Sequence, residues 1–427
     1  MEDHLADPPR AVTVVVVNWN GRERLRGCLG ALALQDFQDF DVVVVDNASS
    51  DGSVELVESD YPDVRVIRNQ TNTGFAAANN VAIRGATSRY VATLNNDTLP
   101  DRRWLGALVD RMEADSTVGS IASKMVFAHD ANSINSCGIA LDPVGIAWDL
   151  CGGLPSSVVE RPRQVFGPCA GAALYRREML DDVGLFDEDF FAYLEDVDLA
   201  WRARLRRWGC VLAPDALVVH AHAGTLGEGS PLKAFLLARN KVWSITKCAP
   251  GPLLRRWLPL IVAYDVGAAW FGVARQHDWA SVRGRLAAVR GLPRMLEKRR
   301  EIQGRRTATD GELRALYAPL ALPWDVPRRY RHLTPLLRRA GVEIGPLPGV
   351  DSAGEVMTAP VQPVSQSAPG PRQRLRRQLL RGSARLLGIP GRDNGRVPGE
   401  PRLLVLRPDH LGDVLLSRPA LQLLVDT

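Results

Sequence analysis

The six cysteines of this 427-residue chain (Cys28, Cys137, Cys151, Cys169, Cys210 and Cys248) are scattered, and no C-x-x-C pair occurs. That spacing argues against a structural zinc site and against a disulfide framework, and it fits a reduced, cytosolic compartment. The opening stretch M-E-D-H-L-A-D-P-P-R is polar and acidic. It lacks the basic and apolar regions of a signal peptide, and residues 1–10 are expected to be disordered. No apolar run reaches the roughly 20 residues that a bilayer-spanning helix needs. The longest, residues 258–274, contains Asp265. It reads as an amphipathic or buried helix, one that could lie on a membrane. No internal repeat is evident.

What is present suits a soluble globular protein: 46% apolar and 24% charged residues. The length implies two or three units. The net charge of +5 is unevenly spread, with Arg accumulating over 275–339 and again over 372–385. A basic C-terminal half suggests an anionic partner, either a membrane surface or nucleic acid.

The first hundred residues alternate strand and helix. V-T-V-V-V-V (12–17) and D-V-V-V-V-D (41–46) are continuous β-branched runs of the kind found in buried parallel strands. V-R-V-I-R (64–68) and Y-V-A-T-L-N (90–95) follow, with helical patterns between. This order predicts an α/β, doubly wound, mostly parallel sheet. Ligands on such sheets bind beyond the carboxyl ends of the strands. Polar clusters fall there: Asn18 and Asn20, then Asp46 and Asn47, then Asn95, Asn96 and Asp97. Each alone is ordinary turn chemistry. Three at equivalent strand ends point to a nucleotide site.

Further on, G-L-F-D-E-D-F-F-A-Y-L-E-D-V-D-L sets Asp187, Glu188, Asp189, Glu195, Asp196 and Asp198 among aromatic and aliphatic side chains. Such carboxylates are costly to bury unless something uses them, and a desolvated Asp can act as a general base. An acidic first turn of a helix running to about Trp208 is the plain alternative. The strands C-V-L-A-P and A-L-V-V-H come next, then helices from Pro231 to about Arg339.

The motifs V-V-V-V-N-W-N-G, V-V-V-D-N-A-S-S-D-G-S, N-T-G-F-A-A-A-N-N, T-L-N-N-D-T and G-L-F-D-E-D-F-F-A-Y-L-E-D-V-D-L-A-W-R-A-R, in this order, resemble family-2 glycosyltransferases of the GT-A fold. The subgroup resembled is the bacterial one of rhamnosyl- and galactofuranosyl-type enzymes of cell-surface polysaccharide assembly. The resemblance covers about 11–250. It implies an inverting transfer of a hexosyl or deoxyhexosyl group from a dTDP- or UDP-sugar to a hydroxyl of a glycan or lipid-linked acceptor. Asp196 matches the family's general base, with Glu195 in support and Asp198 structural. Asp46 matches the carboxylate that accepts the base imide N–H. Asn18, Asn20, Asn47, Gly74, Asn79, Asn96, Gly171 and Arg239 match donor- or acceptor-binding positions, with Asn240 beside Arg239. A Mg²⁺ or Mn²⁺ ion is implied at Asp97, with Asn95 in place of the first Asp of a D-x-D motif and His220, rather than His222, alongside.

Residues 251–340 are then expected to be helical, basic and associated with the inner face of the plasma membrane, and 341–370 a flexible linker. A basic helix and loop (371–400) follow. The tail, L-V-L-R-P-D-H-L-G-D-V-L-L-S-R-P-A-L, resembles the opening of family-9, heptosyltransferase-like glycosyltransferases of GT-B fold. Its 401–427 segment would be an incomplete βα unit of a second domain. Two other readings remain at this point: a nucleotidyltransferase, and a degenerate, non-catalytic binder of nucleotide sugars. Nucleic acid is not an expected partner under any of them.

Overall fold

A computed structural model describes residues 10–221 and 230–320. The chain divides into two units, 1–354 and 355–427. The second lies outside the described residues, as do His222, the linker and the family-9-like tail.

The N-terminal elements are β1 (Val12–Asn18), α1 (Arg22–Ala33), β2 (Phe40–Asp46), α2 (Ser53–Asp60), β3 (Arg65–Arg68), α3 (Gly74–Gly85), β4 (Tyr90–Asn95), β5 (Thr98–Pro100) and α4 (Trp104–Glu113). A mixed region follows: β6 (Val118–Phe127), β7 (Asp130–Ser136), β8 (Ile139–Leu141), β9 (Ala147–Asp149), β10 (Arg163–Gln164) and β11 (Ala172–Arg176). Then come α5 (Arg177–Val183), α6 (Glu195–Leu205), β12 (Gly209–His220), α7 (Pro231–Cys248), α8 (Gly251–Gln276), α9 (Trp279–Arg290), α10 (Leu292–Gly304) and α11 (Asp310–Leu316).

The main sheet runs β10-β12-β6-β11-β4-β1-β2-β3, with β5 on β12 and β7 on β6. β4, β1, β2 and β3 pair in parallel, as the β-branched runs predict. Val14 to Val16 and Val43 to Val45 have almost no exposure, because helices cover both faces. The mixing comes from β11, antiparallel to both β4 and β6, and from β10 and β5 on β12 and β7 on β6, which are antiparallel as well. Parallel register aligns Asn18 with Asp46 and Val17 with Asn95, so the polar ends of three strands form one edge.

Two expectations change. C-V-L-A-P and A-L-V-V-H are one strand, β12, with a register shift between Ala213 and Leu217. An irregular insertion of this kind reads as a break when only the sequence is scanned. The apolar run 258–274 also proves to be the middle of α8, which is long and apolar enough to cross a membrane by length and composition. Counting the apolar run alone omitted the helix's Arg-containing first turns. The helix is neither buried nor cleanly amphipathic, since Leu258, Val262, Val266 and Trp270 are exposed.

Gly74 opens α3 at φ +82°, where a Cβ would lie 2.5 Å from the carbonyl oxygen of Phe191. Gly74→Ala is expected to cost about 2–4 kcal/mol through left-handed strain and overpacking. Urea denaturation measures this, and an unchanged midpoint would show that the 191 segment yields freely.

Candidate active site

The edge formed by β1, β2 and β4 is a continuous hydrogen-bonded set. Asn96 donates through Nδ2 to Asn18 Oδ1 (2.7 Å), and Asn18 Nδ2 donates to Asp46 Oδ1 and to Ser49 Oγ (both 3.2 Å). The backbone N–H of Ser49 donates to Asp46 Oδ2 (2.9 Å). Asp46 is therefore buried and oriented, yet each carboxylate oxygen keeps a lone pair for another donor. Asn20 takes a left-handed φ of 47° and accepts from the Ser50 N–H (2.9 Å). Asn47 donates to the Gly74 carbonyl (3.1 Å) and accepts from Asn69 (2.8 Å), which fixes the entrance to α3. Asn79, on the buried side of α3, donates to Phe75 O (2.9 Å), and its Oδ1 has no partner.

Asp97 follows β4, and His220 ends β12. Their side chains meet with Nε2 3.2 Å from Oδ1, both largely buried. Burial raises the Asp97 carboxyl, but the hydrogen bond and charge of His220, with Arg24, outweigh it and hold the group below the usual carboxylate range. His220 Nδ1 lies 2.9 Å from Asn135 Oδ1, an acceptor, so Nδ1 carries a proton. Nε2 and the carboxylate would then face each other as two lone pairs unless a proton or a cation lies between them. This donor pair fits a divalent cation that takes its remaining ligands from phosphate oxygens. Among the described residues no three His, Cys, Asp or Glu side chains converge. Asn95, the third expected ligand, packs its amide against Gly171 instead of being shown on that pair.

Asp196 sits in the first turn of α6. Its Oδ2 accepts from the Ala170 N–H (3.3 Å) and its Oδ1 from the Val197 N–H (2.8 Å). The turn through Gly171, whose carbonyl accepts from the Asn95 N–H (2.8 Å), thus joins Asp196 to the end of β4. Burial pushes the Asp196 carboxyl up to about 6, against the pull of the two N–H groups and with the charge of Asp149 adding to the rise. Burial, and then the charge of Asp196, raises Glu195 well above the carboxylate range, and its Oε2 has no partner. Burial thus favours the protonated form at Glu195 more strongly than at Asp196, whose carboxylate the two N–H groups support. Asp198 points elsewhere, pairing with Arg202 (2.9 Å) and Lys247 (2.8 Å) at zero exposure, so it is structural as expected.

The segment before Asp196 is strained: Phe191, Tyr193 and Leu194 have φ of 66°, 67° and 65°. Residues with a Cβ hold such angles only where surroundings enforce them. Asn240, fully buried on α7, donates through Nδ2 to the carbonyls of Phe190 (3.0 Å), Ala192 (3.0 Å) and Tyr193 (2.7 Å). Arg239 donates to the carbonyls of Asp189 and Phe190 (2.9 Å each). The Phe75 and Ala76 N–H groups of α3 close on the Phe191 carbonyl (2.7 and 3.1 Å). Below them Lys247 bonds Asp187, and Lys298 of α10 bonds Asp187 (2.5 Å) and Asp189 (2.8 Å). Burial raises Asp187, but the two lysines outweigh it and hold the group far below the carboxylate range.

Arg239, expected near phosphate or acceptor, is thus committed to the backbone of the base segment. Asn240 shares that task, which its pairing with Arg239 in sequence did not reveal. Lys247, Lys298, Asn135 and Asp149 were not anticipated. Each acts from a distant part of the chain with no local motif around it.

Residues 13–184 match the family described as Glycosyl transferase family 2. A pre-mycofactocin glycosyltransferase of Mycobacterium tuberculosis is 33% identical over 276 residues, covering 60% of this chain and 54% of that protein. The N-acetylglucosaminyl-diphospho-decaprenol L-rhamnosyltransferase of the same organism is 25% identical over 252 residues, covering 50% of this chain and 77% of that protein. The chain thus spans about half the length of the first of these relatives. A mannosyltransferase from Pyrobaculum calidifontis, solved with GDP-Man and Mn²⁺, is 20% identical, covers 78% of this chain and 83% of that one, and superposes with a TM-score of 0.42.

Replacing Asn240 by Ala leaves three carbonyls without their donor and is expected to destabilise the fold by about 2–4 kcal/mol. Because the strained segment loosens, kcat should fall by roughly 10²-fold with KM for the nucleotide donor little changed. Steady-state kinetics alongside denaturation would check both, and a loss of stability with kcat intact would reduce Asn240 to a packing residue.

Proposed function

We propose that this chain transfers a hexosyl or deoxyhexosyl group from a UDP- or dTDP-sugar to a hydroxyl of a glycan or lipid-linked acceptor, with inversion. The observation that carries the reading is Asp196: a carboxylate poised near pH 6, fixed by two backbone N–H groups and joined through the Gly171 turn to the nucleotide edge. The family-2 match of residues 13–184 supports the same reaction class. The relative that acts on a diphospho-decaprenol acceptor supports the lipid-linked alternative for the second substrate.

The roles follow from the geometry. Asp46 accepts the imide N–H of uracil or thymine, and because Asn18 and Ser49 already fix it, little reorganisation accompanies binding. Asn20, Asn47 and Asn96 line the same edge for ribose and phosphate. Asp97 and His220 would hold Mg²⁺ or Mn²⁺, which would supply positive charge to neutralise that developing on the diphosphate. Asp196 takes the proton of the acceptor hydroxyl as its oxygen forms a bond to the anomeric carbon. The bond from that carbon to the diphosphate breaks, and the nucleoside diphosphate leaves. The six free cysteines support a reducing, cytoplasmic setting.

A screen of UDP- and dTDP-sugars for release of nucleoside diphosphate is the direct test. Asp196→Asn should lower kcat by about 10²–10⁴-fold while leaving UDP or dTDP affinity within a few-fold. Turnover equal to wild type would remove Asp196 from the mechanism, and release of pyrophosphate from a nucleoside triphosphate would favour nucleotidyl transfer.

The acid limb is a second check. A base works deprotonated, so kcat/KM should fall about tenfold per unit below a midpoint near pH 6 and level off above it. In Asp97→Ala the stimulation by Mn²⁺ should vanish with this limb retained; stimulation that persists would move the cation elsewhere.

A further inference from the structure

One side of α8 is packed. Leu253, Leu254, Trp257, Leu260 and Ile261 join the apolar cluster that holds Val197, Trp201 and Leu205 of α6. The opposite side is not covered by any described residue. Leu258, Val262, Val266 and Trp270 recur every four positions and are 48%, 51%, 64% and 72% exposed. Such a row runs along one side of a helix. The other exposed positions from 258 to 274 are Pro, Ala or Gly, so no charge interrupts it. Arg255 and Arg275 are exposed at its two ends, about 30 Å apart along the axis.

α9 extends the same character. Trp279, Leu286 and Val289 are exposed, and the exposed charges beside them are Arg283 and Arg290. The acids of both helices turn inward: Asp265 bonds Lys241 (3.4 Å) and Arg285 (3.3 Å), and Asp278 caps α9 by accepting from the Ser281 N–H (3.0 Å). Between the helices an open groove of about 430 Å³ is walled by Val266, Ala269, Trp270, Val273 and Val282, with the paired Asp265 and Arg285 at its edge. Apolar patches of this extent on a soluble surface mark a docking site.

We propose that the outer face of α8 and α9 docks on an anionic lipid bilayer, with α8 lying in the plane of the interface. An apolar row whose fully exposed charges are arginines, its one acid being paired with Lys241 and Arg285, matches acyl chains beneath acidic headgroups. A second copy of the chain fits less well, since a two-fold contact would set the same arginines against one another. Lying, rather than spanning, follows from the packed side. Insertion through the bilayer would draw Asp265, Lys241 and Arg285 into hydrocarbon and strip α8 from the cluster around Trp201. The proposal stands independently of the transferase reading, because docking needs neither donor nor acceptor.

The test is co-sedimentation of the full chain, without nucleotide, with vesicles of phosphatidylcholine alone and with added phosphatidylglycerol. The chain should bind the anionic vesicles at least about tenfold more strongly, and high salt should weaken that binding. Val266→Asp combined with Trp270→Asp should lower the partition at least about tenfold, whereas Leu34→Asp on α1 should leave it unchanged. Arg255→Gln with Arg275→Gln, which leaves the apolar row intact, should reduce both the preference for phosphatidylglycerol and the salt dependence. Unaltered binding in the apolar and arginine variants overturns the proposal. So does a chain that stays in the supernatant with both vesicle types, a dimer that the Val266→Asp and Trp270→Asp changes dissociate, or binding that disappears only when the arginines of 372–385 are replaced.

Discussion

The conformation of Phe190 to Leu194 is the constraint on which the site depends. Three residues with Cβ atoms hold left-handed angles in one short stretch, and each costs of order 1–3 kcal/mol. Asn240, Arg239 and the first turn of α3 meet that cost with hydrogen bonds to consecutive carbonyls. The bend they enforce starts α6 at Glu195 and aims Asp196 at the Ala170 N–H. Without it the acidic motif would be a plain helix start, facing wherever the helix happened to lie.

Charge supports the same bend from below. Lys247 is 1% exposed and shared between Asp187 and Asp198, while Arg202 takes the other oxygen of Asp198 and three carbonyls from 183 to 185. Desolvating these groups is costly, and such a set is weak evidence for stability as such. Its geometric effect is more definite. With every partner in place only one packing of α6 against α7 satisfies the charges. Among the described residues the one buried carboxylate oxygen without a partner is Glu195 Oε2, next to Asp196, where burial raises the carboxyl and so favours its neutral form.

The strand ends were legible from the sequence because valine runs end in Asn and Asp at equivalent positions, and parallel register then brings them together without any further information. The burial of Asp196 among apolar side chains was legible from its motif. Arg239 and Asn240 were noticed but given a substrate-facing role, because nothing local tells a donor aimed at a ligand from one aimed at a backbone carbonyl 50 residues away. Lys247 and Lys298 carry no local signal of their ion pairs for the same reason. α8 was read short because an apolar-run count stops at Arg255 and Arg256, whereas the helix continues through them. The bulge that makes β12 one strand leaves no compositional trace.

α7 has a bearing on modularity. The recognised domain stops at residue 184, before the base itself, while the side chains that set the base's direction come from 239 to 298. A segment excised at the family boundary would keep the nucleotide edge and lose the means of aiming Asp196. The helical half is therefore no detachable appendage. Any chimera that exchanges C-terminal parts must carry α7 and α10 with the acidic motif as one unit, since their side chains hold its backbone and its acids in place.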